Sequence, residues 1–171
     1  MNVLVTGFGP FPNVPDNPSG ALALAVDGAV IRGHWVHGIE IPTSYDRGPS
    51  AAIAAARRLD ARLVVGLGVA TTRTGVCVER CAHRVEAAGA DVDGVCTPGL
   101  LGPEMITATL DCDRLVEALG GRLSDDAGRY VCNAWLYAVS SALDVPVGFV
   151  HVPPVGLERA VLLRGLAALL V

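Results

Sequence analysis

The chain is 171 residues long, enough to bury the core of one domain and too few to argue for a second, so one domain over residues 1–171 is expected. Its 13 Lys+Arg against 17 Asp+Glu leave a formal net charge of −4, and the longest basic run is Arg57-Arg58, so a nucleic-acid partner, which needs a clustered basic face, is not expected. No stretch of a sequence that is 51% hydrophobic approaches the roughly 20 consecutive apolar residues of a membrane span, so no membrane partner is expected either.

The opening "MNVLVTGFGPF" has no basic region and meets Gly and Pro at once, which predicts neither a signal peptide nor an anchor and makes a cytoplasmic protein the default. "NVLVT" (2–6) is a short β-branched run that stops at Gly7, as a buried parallel strand does. A proline-rich loop over 7–20 leads into a helix, "PSGALALAVD", capped by Asn17 or Ser19. "HWVHGIEIP" (34–42) reads as a strand, and "TSYDRGPSAAIAAARRLD" (43–60) as an Ala-rich helix with Arg57 and Arg58 in its last turn, where the helix dipole favours them. "RLVVGLGV" (62–69) is a second continuously apolar strand, whereas "GVCVERCAH" (75–83) alternates like a half-buried one. Gly, Pro and Asp punctuate 85–111, which predicts irregular structure. "CDRLVEALG" (112–120) and "CNAWLYAVSSALD" (132–144) read as helices, "VPVGFVHV" (145–152) as a strand, and 156–171 as an amphipathic helix. Strands alternating with helices of this length predict a three-layer α/β/α sandwich around a largely parallel sheet. Ligands of such sheets collect at the carboxyl ends of the strands.

"TGFGPF" offers Gly7-x-Gly9 after a strand, but the third glycine of a dinucleotide fingerprint would fall on Pro12, and Pro10 removes an N–H donor. A stiff loop presenting Phe8 and Phe11 remains, either as core plugs or as walls of a flat apolar slot. The five cysteines are odd in number, so free thiols are expected. Cys132 is the informative one. It falls where a turn at Gly128 hands over to a helix, and unpaired N–H groups with the positive dipole end favour thiolate there. His151 follows 19 residues later (151 − 132), at the carboxyl end of a strand that can bring imidazole to sulfur. Glu79 sits among apolar neighbours and needs a partner: either an imidazole, which it would hold in the proton-accepting tautomer, or a surface arginine, Arg73 or Arg80. The alternation places Cys77, Glu79, Cys81 and His83 on one face, yet Cys-x-x-x-Cys-x-His lacks the usual zinc spacing, and no metal is expected.

Four segments in order, "VLVTGFGPF…NPS" (3–11 and 17–19), "ERCA" (79–82), "SDDAGRYVCN" (124–133) and "FVHVP" (149–153), resemble the pyroglutamyl peptidase I family of cysteine peptidases. The resemblance implies Cys132 as nucleophile, His151 as general base and then acid, and Glu79 as the residue orienting the histidine. It also implies removal of an N-terminal pyroglutamyl residue from peptides without metal or cofactor, and a homo-oligomer, dimer or tetramer. Phe8, Phe11 and Asn17 fall on the amino-terminal signature as substrate contacts, with Arg73 as support beside the glutamate. Departures from the family pattern are Thr71-Thr72 in place of a glycine pair, Cys77 and Arg84 near the glutamate, and no arginine in "EAAGAD" (86–91). A rival expectation is a family-like protein that holds a small acylated ligand without turnover.

Overall fold

The structure, a computed structural model, describes every residue except Asn13 and Val171. In chain order the elements are β1 (Asn2–Phe8), α1 (Pro18–Val26), β2 (Val30–Ile31), β3 (His34–Ile41), α2 (Arg47–Arg58), β4 (Ala61–Val69), β5 (Cys77–Glu79), β6 (Cys81–His83), β7 (Met105–Thr107), α3 (Cys112–Leu119), β8 (Arg122–Ser124), α4 (Val131–Ala142), β9 (Val147–Val152) and α5 (Arg159–Leu169). One sheet of seven strands runs β2-β3-β1-β4-β9-β5-β8, and β6 and β7 form a separate two-stranded ribbon. The links β3-β1, β1-β4, β4-β9 and β5-β8 are parallel; β2-β3 and β9-β5 are antiparallel.

Helices cover both faces, which is why β1, β4 and β9 are apolar at nearly every position rather than at every other one. On one face Val3, Val5, Val65 and Val150 pack against Leu22 and Val26 of α1, Leu115 of α3 and Leu162 of α5. On the other, Leu4, Val64, Val147 and Phe149 pack against Ala52 and Ala55 of α2 and Trp135 and Val139 of α4. The result is the expected α/β/α sandwich. Among the described residues no helix is long and apolar enough to cross a membrane.

Three local readings need correction. Residues 75–83 are not one half-buried strand: Cys77, Val78 and Glu79 are all buried in β5, and the chain then leaves the sheet to make β6. The break falls at exposed Arg80, whose N–H bonds Ser124 O and whose guanidinium pairs with Asp125. Helix α2 starts at Arg47, not Thr43, because Thr43 Oγ1 donates to Gly9 O (2.9 Å) and Tyr45 N to Asp91 Oδ2 (2.8 Å). The stretch 85–111 is irregular except for β7.

The cap of α1 is Asn17, whose Oδ1 accepts from Ser19 N at 3.1 Å. This helix lies so close to the sheet that a Cβ on Gly7 would stand 2.0 Å from Ser19 O, and one on Gly38 1.8 Å from Ala23 O. Main-chain atoms cannot step aside as a side chain can. Gly7→Ala is expected to cost about 3 kcal/mol by overpacking, read as a lower urea midpoint at unchanged slope.

Candidate active site

Alternation along each strand does much of the assembly. In β9, Val147 and Phe149 face α2 and α4, so His151 faces the same way. Register pairs Cys77 with His151 and Glu79 with Phe149, which puts both β5 side chains on that face. On the other side of β9, Gly68 of β4 is paired with His151. Cys132 enters from above, as the second residue of α4, with its Sγ only 2.6 Å from where a Cβ on Gly68 would lie. The thiol, the imidazole and the carboxylate therefore converge on one edge of the sheet, over a glycine that leaves room for sulfur.

Glu79 is fully buried, and its Oε1 accepts from both His151 Nδ1 (2.7 Å) and Arg73 Nη1 (2.5 Å). Both partners foreseen for this carboxylate are thus present at once, while Arg80 turns to Asp125. Arg73 also donates to Asp126 O (2.5 Å), tying the loop after β4 to the approach of α4. The His151 ring stands edge-on to Phe149, with centroids 5.1 Å apart. With Nδ1 held by Glu79, the neutral ring carries its lone pair on Nε2, the nitrogen suited to accept a proton. Among the described residues no hydrogen bond joins Sγ to the ring.

The surroundings of the sulfur act against the thiolate that its helix position favours. Burial, with the charge of Glu79 adding, pushes the Cys132 thiol up to about 12, against smaller opposite pulls from Arg73 and the residue's own backbone N–H. Desolvation outweighs the helix terminus. A thiol raised in this way titrates above neutrality. Alkylation of Cys132 by iodoacetamide is therefore expected to quicken about tenfold per pH unit from 6 to 9; a rate already level at pH 7 would show a stable thiolate–imidazolium pair instead.

The remaining expected residues separate. Phe8 lies in the core, 2% exposed and 6.3 Å from the ring of Phe149. Phe11 is partly exposed and stands 6.3 Å from Tyr130, whose ring meets Tyr45 edge-on at 5.6 Å. Asn17 spends its amide on the loop: Nδ2 donates to Gly9 O (3.0 Å), and Oδ1 accepts from Ser19 N and Oγ. Cys81 and His83 lie on β6, away from β5, 3.7 Å apart at Sγ and Nε2. Two residues that the sequence reading placed beside the cysteine but did not count as site residues belong to the neighbourhood: Tyr130, two before it, and Asn133, directly after it. Their places beside Cys132 were the available signal.

A buried carboxylate holding an imidazole beside a thiol at a helix start, on the carboxyl edge of a mostly parallel sheet, is the equipment of an α/β cysteine hydrolase. The comparisons narrow that class. Residues 1–162 match the family model described as pyroglutamyl peptidase, and the chain belongs to this family of cysteine peptidases. It is 35% identical over 169 residues to the pyrrolidone-carboxylate peptidase of Mycobacterium marinum, covering 88% of this chain and 76% of that one. It is 34% identical over 167 residues to the Klebsiella pneumoniae enzyme of the same name, covering 88% and 77%. The same fold is seen in pyroglutamyl peptidase I from Bacillus amyloliquefaciens, with a TM-score of 0.86 at 23% identity over 98% of this chain and 92% of the other. Pyrrolidone carboxyl peptidase from Thermococcus litoralis also has it, with a TM-score of 0.86 at 24% identity over 98% and 90%.

Proposed function

We propose that this chain, acting as one domain, removes an N-terminal pyroglutamyl residue from peptides, with Cys132 as nucleophile, His151 as proton carrier and Glu79 as the carboxylate that orients it. The observation that carries this reading is the buried 2.7 Å contact of Glu79 with His151, beside the glycine that Sγ overlies. As sulfur attacks the pyroglutamyl carbonyl, its proton passes to His151 Nε2, and the new imidazolium is stabilised by Glu79. The first intrahelical bond of α4 runs from Ala134 N to Tyr130 O, so the N–H groups of residues 131–133 are available to the oxyanion. Each such donor is worth about 3 kcal/mol to a transition state. His151 then returns its proton to the departing amine as the C–N bond breaks. Water, deprotonated by the same nitrogen, splits the thioester and releases pyroglutamate and free thiol.

The lactam ring suits the aromatic edge formed by Phe11 and Tyr130, Phe8 being taken up by the core, with Asn17 holding the loop and keeping one N–H for the ring. A flat apolar wall solvates a neutral lactam and disfavours a free ammonium, which gives selectivity for the cyclised residue. Arg73 supports Glu79. The reading calls for no cofactor or metal. Assembly as a homo-dimer or tetramer and a cytoplasmic location belong to the same proposal and rest on family membership.

The purified chain is expected to release nitroaniline from L-pyroglutamyl p-nitroanilide and to leave the alanyl analogue intact. Iodoacetamide is expected to remove this activity in proportion to label found on Cys132. Activity that survives complete labelling of that thiol would sink the assignment.

A further inference from the structure

The geometry points to Asn133 as a positioning residue: its carboxamide locks the first turn of α4, and with it the Cys132 sulfur, to the β6–β7 ribbon. This rests on the assignment of Cys132 as nucleophile. Asn133 is 1% exposed. Its Nδ2 donates to His83 O at 2.8 Å, and its Oδ1 accepts from His83 N at 2.8 Å. Along its other edge β6 pairs with β7, through bonds such as Arg84 N to Glu104 O and Ala108 N to Arg80 O. The side-chain amide thus imitates one residue of a further strand.

An asparagine near a helix start commonly caps its own helix. Here it does not: α4 has Tyr130 at its N-cap and no side-chain cap. Both ends of the amide are spent outside the helix, so the first-turn N–H groups stay free while the turn is still held. A planar group bonded at two points fixes rotation as well as distance. That matters one residue away, because Sγ overlies Gly68 and can turn about its own torsion, so its place there depends on how the first turn is set. The position also requires a donor and an acceptor together. An ionised aspartate has no donor and would set a carboxylate against the His83 carbonyl.

The test uses Asn133→Asp and Asn133→Ala in the full chain, with kcat and KM on the pyroglutamyl anilide from pH 5 to 8 and thermal unfolding alongside. The titratable groups on α4 and the elements packed against it are Cys132 and Tyr137 on α4, Cys81 and His83 on β6, His151 on β9, Arg62 on β4, and Arg47, Arg57 and Arg58 on α2. The wild type shares all of them, so the ratio to wild type is read at each pH. Asn133→Ala is expected to lose roughly 30- to 100-fold in kcat, the scale of an ångström-sized misplacement, with KM within about threefold. Asn133→Asp is expected to lose as much at pH 8 and to recover at least about fivefold relative to wild type at pH 5, as the carboxyl gains the proton that lets it donate to His83 O. If the alanine variant does not fold, this reversible recovery within one folded sample decides. Variants that lose thermal stability with kcat unchanged, or an Asn133→Asp deficit equal at every pH, overturn the positioning role while leaving the peptidase reading intact. A wild type without turnover sinks both.

Discussion

Glu79→Gln is expected to lower kcat for a pyroglutamyl anilide by about 10⁴-fold, the loss that follows when the carboxylate behind a catalytic imidazole becomes an amide. The reason lies in what one oxygen does. Oε1, on a side chain with no exposure to water, accepts from His151 Nδ1 and from Arg73 Nη1. A glutamine there carries no charge to stabilise the imidazolium formed when sulfur gives up its proton. It can also turn its NH2 toward Nδ1, which then has to accept, leaving the proton on Nε2 and blocking transfer from Cys132. KM is expected to stay within a few-fold, because neither effect touches the aromatic wall. The substitution also strips Arg73 of its only anionic partner among the described ion pairs, and breaking a buried pair on one side costs about 3 kcal/mol. Steady-state kinetics with a urea titration reads both changes. A kcat within tenfold of wild type would mean that Glu79 serves Arg73 and the loop rather than the imidazole.

The main strands were legible because burial on both faces makes a parallel strand apolar without alternation, and "NVLVT", "RLVVGLGV" and "VPVGFVHV" show it directly. That Cys132 and His151 lie toward the same sheet edge was legible from order alone, since a helix followed by a strand returns the chain there. Residues 75–83 misled for a physical reason. Alternation there reports two strands in different sheets, and their separation depends on Arg80 finding Asp125, 45 residues away. The burial of Glu79 has the same origin: its two partners come from a loop and from β9, contacts that no local pattern encodes. Strands of two or three residues, such as β2 and β8, carry too few side chains to show a period at all. The state of the sulfur follows suit. A helix start is a local property and argues for thiolate, whereas burial is a tertiary one and pulls the thiol the other way.

Two glycines on β4 separate placement of the sulfur from packing of the core. A Cβ on Gly68 would lie 2.6 Å from Cys132 Sγ and 2.8 Å from Phe149 Cζ. The phenylalanine cannot yield, being wedged against Trp135 (5.5 Å between centroids), His151 (5.1 Å) and Phe8 (6.3 Å). Sulfur moves on one torsion, so it is the atom that gives way, swinging off the line of attack. Gly68→Ala is therefore expected to lose ~10²- to 10³-fold in kcat and about 2 kcal/mol in stability, since displacing the sulfur leaves the approach to Phe149 unrelieved. Gly66 lies two residues earlier on the same face, where a Cβ would meet Phe149 Cδ2 and Trp135 Cζ3, each at 2.6 Å. Neither ring can clear that space without disturbing α4 or β9. Gly66→Ala is expected to lose about 3 kcal/mol, with kcat per folded molecule reduced less than in Gly68→Ala. Urea midpoints and kcat measured on the same preparations place each variant on both axes. If Gly68→Ala keeps its kcat within threefold, the sulfur does not work from its place over β4, and the attack geometry drawn from that placement fails.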